Sequence, residues 1–144
     1  MDERQGQGAP GTSGFFNRPV IVSLLYLATY FTGFSLIVGI ILAHIWRSEA
    51  REEWEISHLR YLIRTFWITA AVVAGAAVLM IAYLIAVASN GPNDAHAGEA
   101  LLASFAAAMI VAAIALVWMA VRSLVSLVKA GTREPIARPE TWLF

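Results

Sequence analysis

Histidines are the first side chains in this chain that could do chemistry. His44 and His58 lie near the ends of two apolar segments and could face one another, which would allow a metal site or a proton switch near neutral pH. Two histidines with no carboxylate at helical spacing make a poor metal site, and interfacial histidines more often bond to backbone or headgroups. Asp94, His96 and Glu99 could bind a cation, but a solvated polar turn explains them equally well. We therefore expect no metal and no cofactor.

Catalytic chemistry is disfavoured by what the apolar segments contain. Residues 19–46, 65–93 and 100–121 hold no Asp, Glu, Lys or Arg, which argues against a proton-coupled carrier, an intramembrane aspartyl protease and a carboxylate-lined pore. The chain has no cysteine, no nucleophile elbow, no zinc-protease motif and no phosphate-binding loop. The sequence predicts that the protein is not an enzyme.

Arginines give a more informative pattern in the charge cluster between the first two apolar segments. Arg60 and Arg64 are four residues apart with Trp67 one turn further, the spacing at which guanidinium groups and an aromatic ring anchor a helix at the headgroups. Alternatively, Arg64 forms a bidentate pair with a carboxylate and ties this loop to the C-terminal tail. The candidate partners are Glu53, Glu55 and Glu140, and the further candidate contact or anchor residues are His58, Trp54, Arg122 and Trp142.

The composition indicates a membrane protein. Of 144 residues, 59% are apolar and only 14% are charged, and the mean hydropathy is +0.68, whereas soluble domains are about half apolar and about a quarter charged. The formal net charge of +0 and the lack of a basic tract predict no binding of nucleic acid.

These segments predict an all-α integral membrane protein with three transmembrane helices, at about 19–46, 57–89 and 99–129. Residues 1–18 form a flexible lead rich in glycine, and residues 130–144 form a cytoplasmic or interfacial tail. Ser57 is the expected cap of the second helix, and a turn at 90–93 ends it. Alternatively, the first segment breaks near Gly33 and re-enters the membrane, which gives a bundle of four segments.

Small residues recur at helical spacing and predict close helix packing, with the second and third helices as an antiparallel pair. The positions are Gly33, Ser35 and Gly39 in the first segment, Ala71 and Gly75 in the second, and Ser104, Ala108 and Ala112 in the third.

The distribution of Lys and Arg sets the expected orientation. Residues 47–64 hold four arginines and the tail region holds four basic residues, whereas loop 89–99 has none. Loop 47–57 and the C-terminus are therefore expected in the cytoplasm, and loop 89–99 in the periplasm. Three spans put the N-terminus outside, and a re-entrant first segment puts it inside.

Several short motifs carry a family resemblance that covers most of the chain from about residue 26. They are residues 30–34, Glu49-Ala50, residues 58–67, Arg122-Ser123-Leu124, Gly131, Pro135-Ile136 and residues 139–144. The chain resembles small uncharacterised proteobacterial inner-membrane proteins with a domain of unknown function, distantly similar to a membrane component of the chloroplast protein-import translocon. This resemblance implies a small helical inner-membrane protein without catalytic or ligand residues.

The expected function is that of a small scaffold or accessory subunit, which acts through helix packing and a cytoplasmic surface of Arg, Glu and Trp. Three helices with several small-residue ridges have more packing faces than they can satisfy alone, so the expected partners are the lipid bilayer and a homo-oligomer or larger membrane complex. The alternative is a small transporter or channel component whose polar path is lined by Tyr26, Thr29, Tyr30 and Ser35. A protein-import role is the third possibility.

Overall fold

Four α-helices make up the computed structural model, which describes residues 17–90 and 97–137. They are α1 (Arg18–Thr32), α2 (Ser35–Glu49), α3 (Glu53–Asn90) and α4 (Ala97–Gly131). No strand occurs in these two ranges, which confirms the prediction of an all-α fold. The flexible lead predicted over 1–18 lies almost wholly outside the described residues, as do the turn at 91–93 and the tail beyond residue 137.

The first apolar segment is broken in two, which corrects the single helix predicted over 19–46. Gly33 has φ 77°, a left-handed conformation that glycine adopts without steric cost, and its N–H donates to the carbonyl of Thr29. The Ser35 hydroxyl donates to the carbonyl of Leu25 at 2.8 Å and accepts from the Thr32 hydroxyl at 2.9 Å. These bonds satisfy polar groups at the break, and α1 and α2 form a helical hairpin. This is the four-segment arrangement that the sequence left as the alternative.

Two helices, α3 and α4, are long and apolar enough to cross a membrane. At about 1.5 Å per residue, the 15 residues of α1 or of α2 make only roughly 22 Å, short of a full crossing. The observed α3 begins at Glu53, four residues before the predicted start, and Ser57 lies inside it with its hydroxyl donating to the carbonyl of Trp54. Ser57 is therefore not the cap. Glu53 and Glu55 occupy the first turn, where carboxylates favour the positive end of the helix dipole.

The hydrophobic core lies at one end of the molecule. We call this end the basal half: the hairpin together with residues 53–69 of α3 and 115–131 of α4. Its core residues come from all four helices and are Val22, Tyr26, Ile40, Ala43, Leu59, Leu62, Ile63 and Met119.

The distal half consists of residues 70–90 and 97–114, the remaining parts of α3 and α4. Large apolar side chains such as Leu79, Ile85 and Leu102 are exposed along it. In the most apolar stretch of α3 no residue is buried, and in that of α4 only 6% are. Such a large apolar surface indicates contact with lipid or with another protein.

Candidate functional site

A chain of buried polar groups joins α1, α3 and α4 in the basal half. His58 is fully buried, its Nδ1 lies 3.0 Å from the Ser126 hydroxyl, and its Nε2 lies 2.8 Å from the carbonyl of Glu134. Because a carbonyl only accepts, Nε2 carries a proton and donates to it. The Ser23 hydroxyl donates to Ser126 at 3.2 Å. Both nitrogens of the imidazole therefore have a hydrogen-bond partner.

Burial lowers the pKa of His58, which precedes the uncharged part of α3. The hydrogen bond to the Glu134 carbonyl opposes this shift, and the nearby positive charge of Lys129 adds to it. The lowered pKa favours the uncharged form of His58, and its bonds to Ser126 and Glu134 make it a structural link between α3, α4 and the segment after α4.

The segment after α4 folds back onto the start of α3. We call residues 132–137 the strap. It begins at the end of α4, where the Glu134 N–H donates to the Lys129 carbonyl and Arg133 has φ 56°. The Ile136 N–H then donates to the Ser57 hydroxyl at 3.2 Å, and Ile136 is buried. The strap thus connects the end of α4 to His58 and Ser57 near the start of α3.

Arg122 is the most unusual residue of the site because it is charged and fully buried. Its Nε donates to the Thr65 hydroxyl at 2.8 Å, and Thr65 donates to the carbonyl of Tyr61. The guanidinium carbon lies 3.8 Å from the ring centre of Tyr61 and 4.7 Å from that of Trp118. Two aromatic faces attract the cation and partly replace the water that burial removes. Arg122 therefore holds α3 and α4 together.

The hairpin is attached to the helix pair by tyrosines. Tyr26 is fully buried, and its hydroxyl donates to the carbonyl of Leu62 at 3.3 Å. Tyr30 donates to the carbonyl of Leu116. The hydroxyls of Thr29 and Ser35 bond to each other and to the Leu25 carbonyl. The four residues considered for a polar path thus use their hydroxyls to hold the fold.

The residues predicted to anchor α3 at the headgroups are exposed or only half-buried. Arg60 is exposed, Trp67 is 58% exposed, and Arg64 is half-buried. Glu55, one of the predicted partners of Arg64, instead lies 3.8 Å from Nε of Arg18.

Arg18 connects three helix ends at the base. Its Nη2 lies 3.4 Å from the carboxylate of Glu49, so this residue links the start of α1 to the end of α2 as well as to the start of α3. The other predicted partners behave differently. Glu53 is exposed, Trp54 donates to Glu52, and Glu140 and Trp142 lie outside the described residues.

The two histidines of the predicted metal or proton site are not brought together. His44 is exposed and its Nδ1 bonds to the Ile40 carbonyl of its own helix, whereas His58 is bonded inside the core. Within residues 17–90 and 97–137, no group of three or more His, Asp or Glu side chains could hold a metal ion. Glu99 is exposed, and Asp94 and His96 lie outside the described part of the chain.

The small residues predicted to mediate helix packing are partly buried between helices and partly exposed. In α2, Ser35 and Gly39 are buried against α1, and in α4, Ser104, Ala108 and Ala112 are half-buried towards α3. Gly33 lies at the exposed break, and Ala71 and Gly75 are exposed on α3. These last two positions are therefore not buried between helices among the described residues.

A long apolar groove runs between α3 and α4. It has two adjoining sections of about 560 and 450 Å³, which share Val72 and Val111. The upper section includes Gly75 and Ser104, and the lower section includes Ile68, Thr69 and Trp118. The lining is almost entirely apolar, so the groove suits hydrocarbon or apolar side chains.

Sequence reasoning missed the part that Ser23, Ser126, Tyr61 and Thr65 take in the buried network. A signal for it exists. His58, Tyr61 and Thr65 lie three and four residues apart on α3, and Arg122 and Ser126 lie four apart on α4, so each set forms one polar stripe on a helix face.

No family model, curated protein or solved structure matches this chain.

Proposed function

We propose that this protein is a small membrane scaffold or accessory subunit whose α3 and α4 cross the bilayer and whose hairpin packs beside them at one face. The observation that carries this proposal is the division of the molecule into a basal half, whose hydrophobic core also contains hydrogen-bonded polar groups, and a distal half with an exposed apolar surface.

The position of the helix pair in the membrane follows from the section of α3 that has no charged residue. From Trp67 to Ser89, α3 carries no charged residue, and at about 1.5 Å per residue this section is roughly 35 Å long, enough to cross the hydrocarbon. The hairpin break at Gly33 has Phe31 and Phe34 beside it, 93% and 65% exposed. Two exposed aromatic rings at this break favour insertion of the hairpin into the nearer leaflet.

The orientation that we propose has the basal half in the cytoplasm. The basic residues described by the structure, among them Arg18, Arg64 and Lys129, lie in the basal half or in the loop and strap beside it, and loop 89–99 has no Lys or Arg. With two crossings, residues before α1 and after α4 are on the same side. The inner membrane of a bacterium is the compartment that the family resemblance implies.

Labelling of single cysteines tests this topology, because the chain has no cysteine of its own. An impermeant thiol reagent added to the periplasm is expected to label Asp94→Cys and to leave Gly6→Cys and Arg51→Cys unlabelled in intact cells. Labelling of Gly6→Cys from outside would restore a third crossing, and labelling of Arg51→Cys would reverse the orientation.

The scaffold role rests on the distal surface. Ala71 and Gly75 permit close approach of another helix, and the groove beside them is apolar over its length. Ser23, His58 and Ser126 bond to one another inside the basal half, so recognition by packing fits this chain better than chemistry does.

Native mass spectrometry in a mild detergent tests the scaffold role. The expected result is a dimer, a higher oligomer or a stable complex with a second membrane protein. A strictly monomeric particle with no co-purifying protein would count against it, even where the topology is as proposed.

A further inference from the structure

We infer that the hairpin of α1 and α2 is a wedge that expands the leaflet on the basal side, so that the protein gathers in membrane that is convex on that side. The inference rests on the proposed crossing of the bilayer by α3 and α4. It goes beyond that role because it assigns lipid as the cover of the outer hairpin surface and gives the hairpin a mechanical effect on the bilayer.

Hydrogen bonds to α4 fix the height of the hairpin along the helix pair. The Asn17 side chain donates to the carbonyl of Ala130 at 3.1 Å, and the Tyr30 hydroxyl donates to the carbonyl of Leu116. These two bonds are almost equally spaced along the two helices. Helix α1 therefore runs antiparallel beside α4, with Tyr30 at the level of Leu116.

The hairpin tip lies inside the nearer leaflet. The lower groove section is lined by Ile68 of α3 and by Ala115 of α4, so Leu116 is close to the height at which the uncharged section of α3 begins. Gly33 is three residues beyond Tyr30, which adds about 5 Å. Because the hydrocarbon core is about 30 Å thick, the tip stops roughly 10 Å short of the midplane.

The outer surface of the hairpin near this tip is largely apolar. Its exposed side chains include Phe31, Phe34, Ile37 and Ile41, and residues 19–46 carry no charge. From the break to Ile41 the distance along α2 is about 12 Å, which spans the inserted tip and the headgroup region below it. An uncharged apolar surface at this depth suits the boundary between headgroups and acyl chains, so we assign lipid as its cover.

The hairpin is held firmly on the helix pair. Tyr26 is fully buried, and its hydroxyl donates to the carbonyl of Leu62 at 3.3 Å. The Ser23 hydroxyl donates to Ser126 at 3.2 Å, and both serines are buried. Since a packed interior is hardly compressible, the lipids must adapt to the inserted hairpin.

The two leaflets therefore receive different amounts of protein. At the level of the tip and below it, the described chain contributes four helices, whereas only α3 and α4 of these helices continue into the far leaflet. A helix with its side chains is about 10–12 Å wide, so the hairpin adds roughly 160–230 Å² to one leaflet. Extra area in one leaflet bends the bilayer until that leaflet is convex, and shallow insertion makes binding sensitive to curvature.

Reconstitution of the full chain into vesicles of mixed size tests the wedge. An impermeant fluorescent thiol reagent is added after reconstitution and labels either Arg51→Cys, beside the basal half, or Gly98→Cys, at the start of α4; both positions are exposed. The first label reports molecules whose basal half is outside, on the convex side, and the second reports the opposite orientation. Fluorescence per vesicle area should be at least about twofold higher on the smallest vesicles than on the largest for Arg51→Cys, and should show the reverse order for Gly98→Cys.

Two double variants of the Arg51→Cys chain test the hairpin tip. Phe31→Ser with Phe34→Ser removes both rings and should at least halve the excess on small vesicles. Leu79→Ser with Ile85→Ser is the matched control, because these residues are also apolar and exposed but lie on the distal part of α3. The control should not reduce the excess.

The opposite outcomes overturn the inference. A density that does not depend on vesicle size, or the same dependence for both labels, would refute the wedge and leave the topology intact. An excess that survives Phe31→Ser with Phe34→Ser, or that the control abolishes equally, would show that the hairpin tip is not its source. Complete labelling of both Arg51→Cys and Gly98→Cys from outside would instead show that α3 and α4 do not cross the bilayer, which removes the proposed function as well.

Discussion

Gly39 is the position where a single methyl group should separate α1 from α2. A Cβ atom added there would lie 2.9 Å from both Cδ1 and Cε1 of Tyr26 and 3.2 Å from Cβ of Leu25. Non-bonded carbon atoms prefer about 3.5–4.0 Å, so the contacts with the ring would be short by at least about 0.6 Å. Tyr26 cannot move away cheaply, because it is fully buried and its hydroxyl is bonded to the carbonyl of Leu62.

The expected magnitude is that of an overpacked core. Gly39→Ala should lower the free energy of unfolding by about 1–3 kcal/mol through this clash, while replacing glycine inside a helix returns up to about 1 kcal/mol. Gly75→Ala is the matched control, since Gly75 is also inside a helix and a Cβ there meets nothing within 4 Å. The difference between the two variants isolates the clash, at about 1–3 kcal/mol.

Unfolding in mixed micelles, with SDS as the denaturant and helicity measured by circular dichroism, gives both free energies. Tyr26→Ala should cost less in the Gly39→Ala background than in the original chain, because the clash is then gone. If the Gly39→Ala and Gly75→Ala variants unfold within about 0.5 kcal/mol of each other, the hairpin is not packed as closely as we describe.

Three further predictions concern the hairpin break and the buried polar groups. Gly33→Ala should destabilise the protein by about 1–2 kcal/mol in the same assay because a left-handed residue gains a Cβ, whereas Gly98→Ala, also with open space around it, should not. Arg122→Lys should be destabilising by about 1–3 kcal/mol, since lysine keeps the charge but loses the Nε hydrogen bond and the stacking on two rings; equal stability would refute this. Because the pKa of buried His58 is lowered, unfolded chains bind more protons, and stability should fall as pH drops below about 6.5; His58→Gln should flatten this dependence, and an unchanged slope would contradict it.

The two long helices were predictable because an uncharged run of sufficient length has few alternatives to forming an apolar helix. The residues at which these helices begin and end were harder to predict. Ser57 is a residue type that commonly caps helices, but α3 begins at Glu53, because acidic residues stabilise the first turn of the helix before Ser57. The break at Gly33 was visible as an alternative but not decided, since apolar length favours one helix and the neighbouring hydroxyl bonds that satisfy the turn depend on side-chain geometry.

The contacts in the candidate site were harder to predict from the sequence than the helices. In the sequence, an arginine near the end of an apolar run looks the same whether its side chain reaches the headgroups or turns into the core. For Arg122, the contacts with Tyr61 and Thr65 on α3 determine its direction. Likewise, nothing near Arg18 in the sequence indicates its contacts with Glu49 and Glu55. Such contacts depend on tertiary packing, which local patterns of charge and hydropathy do not specify.

The attachment of α1 to α4 sets the order of events during synthesis. The Asn17 side chain donates to the carbonyl of Ala130, and Ser23 bonds Ser126, over sequence separations of 113 and 103 residues. A ribosome adds about 5–20 residues per second, so the start of α1 exists for roughly 5–20 s before its partner on α4 has been made. During that interval the apolar face of α1 has no neighbour on α4, so α1 completes its packing only after α4 has been made.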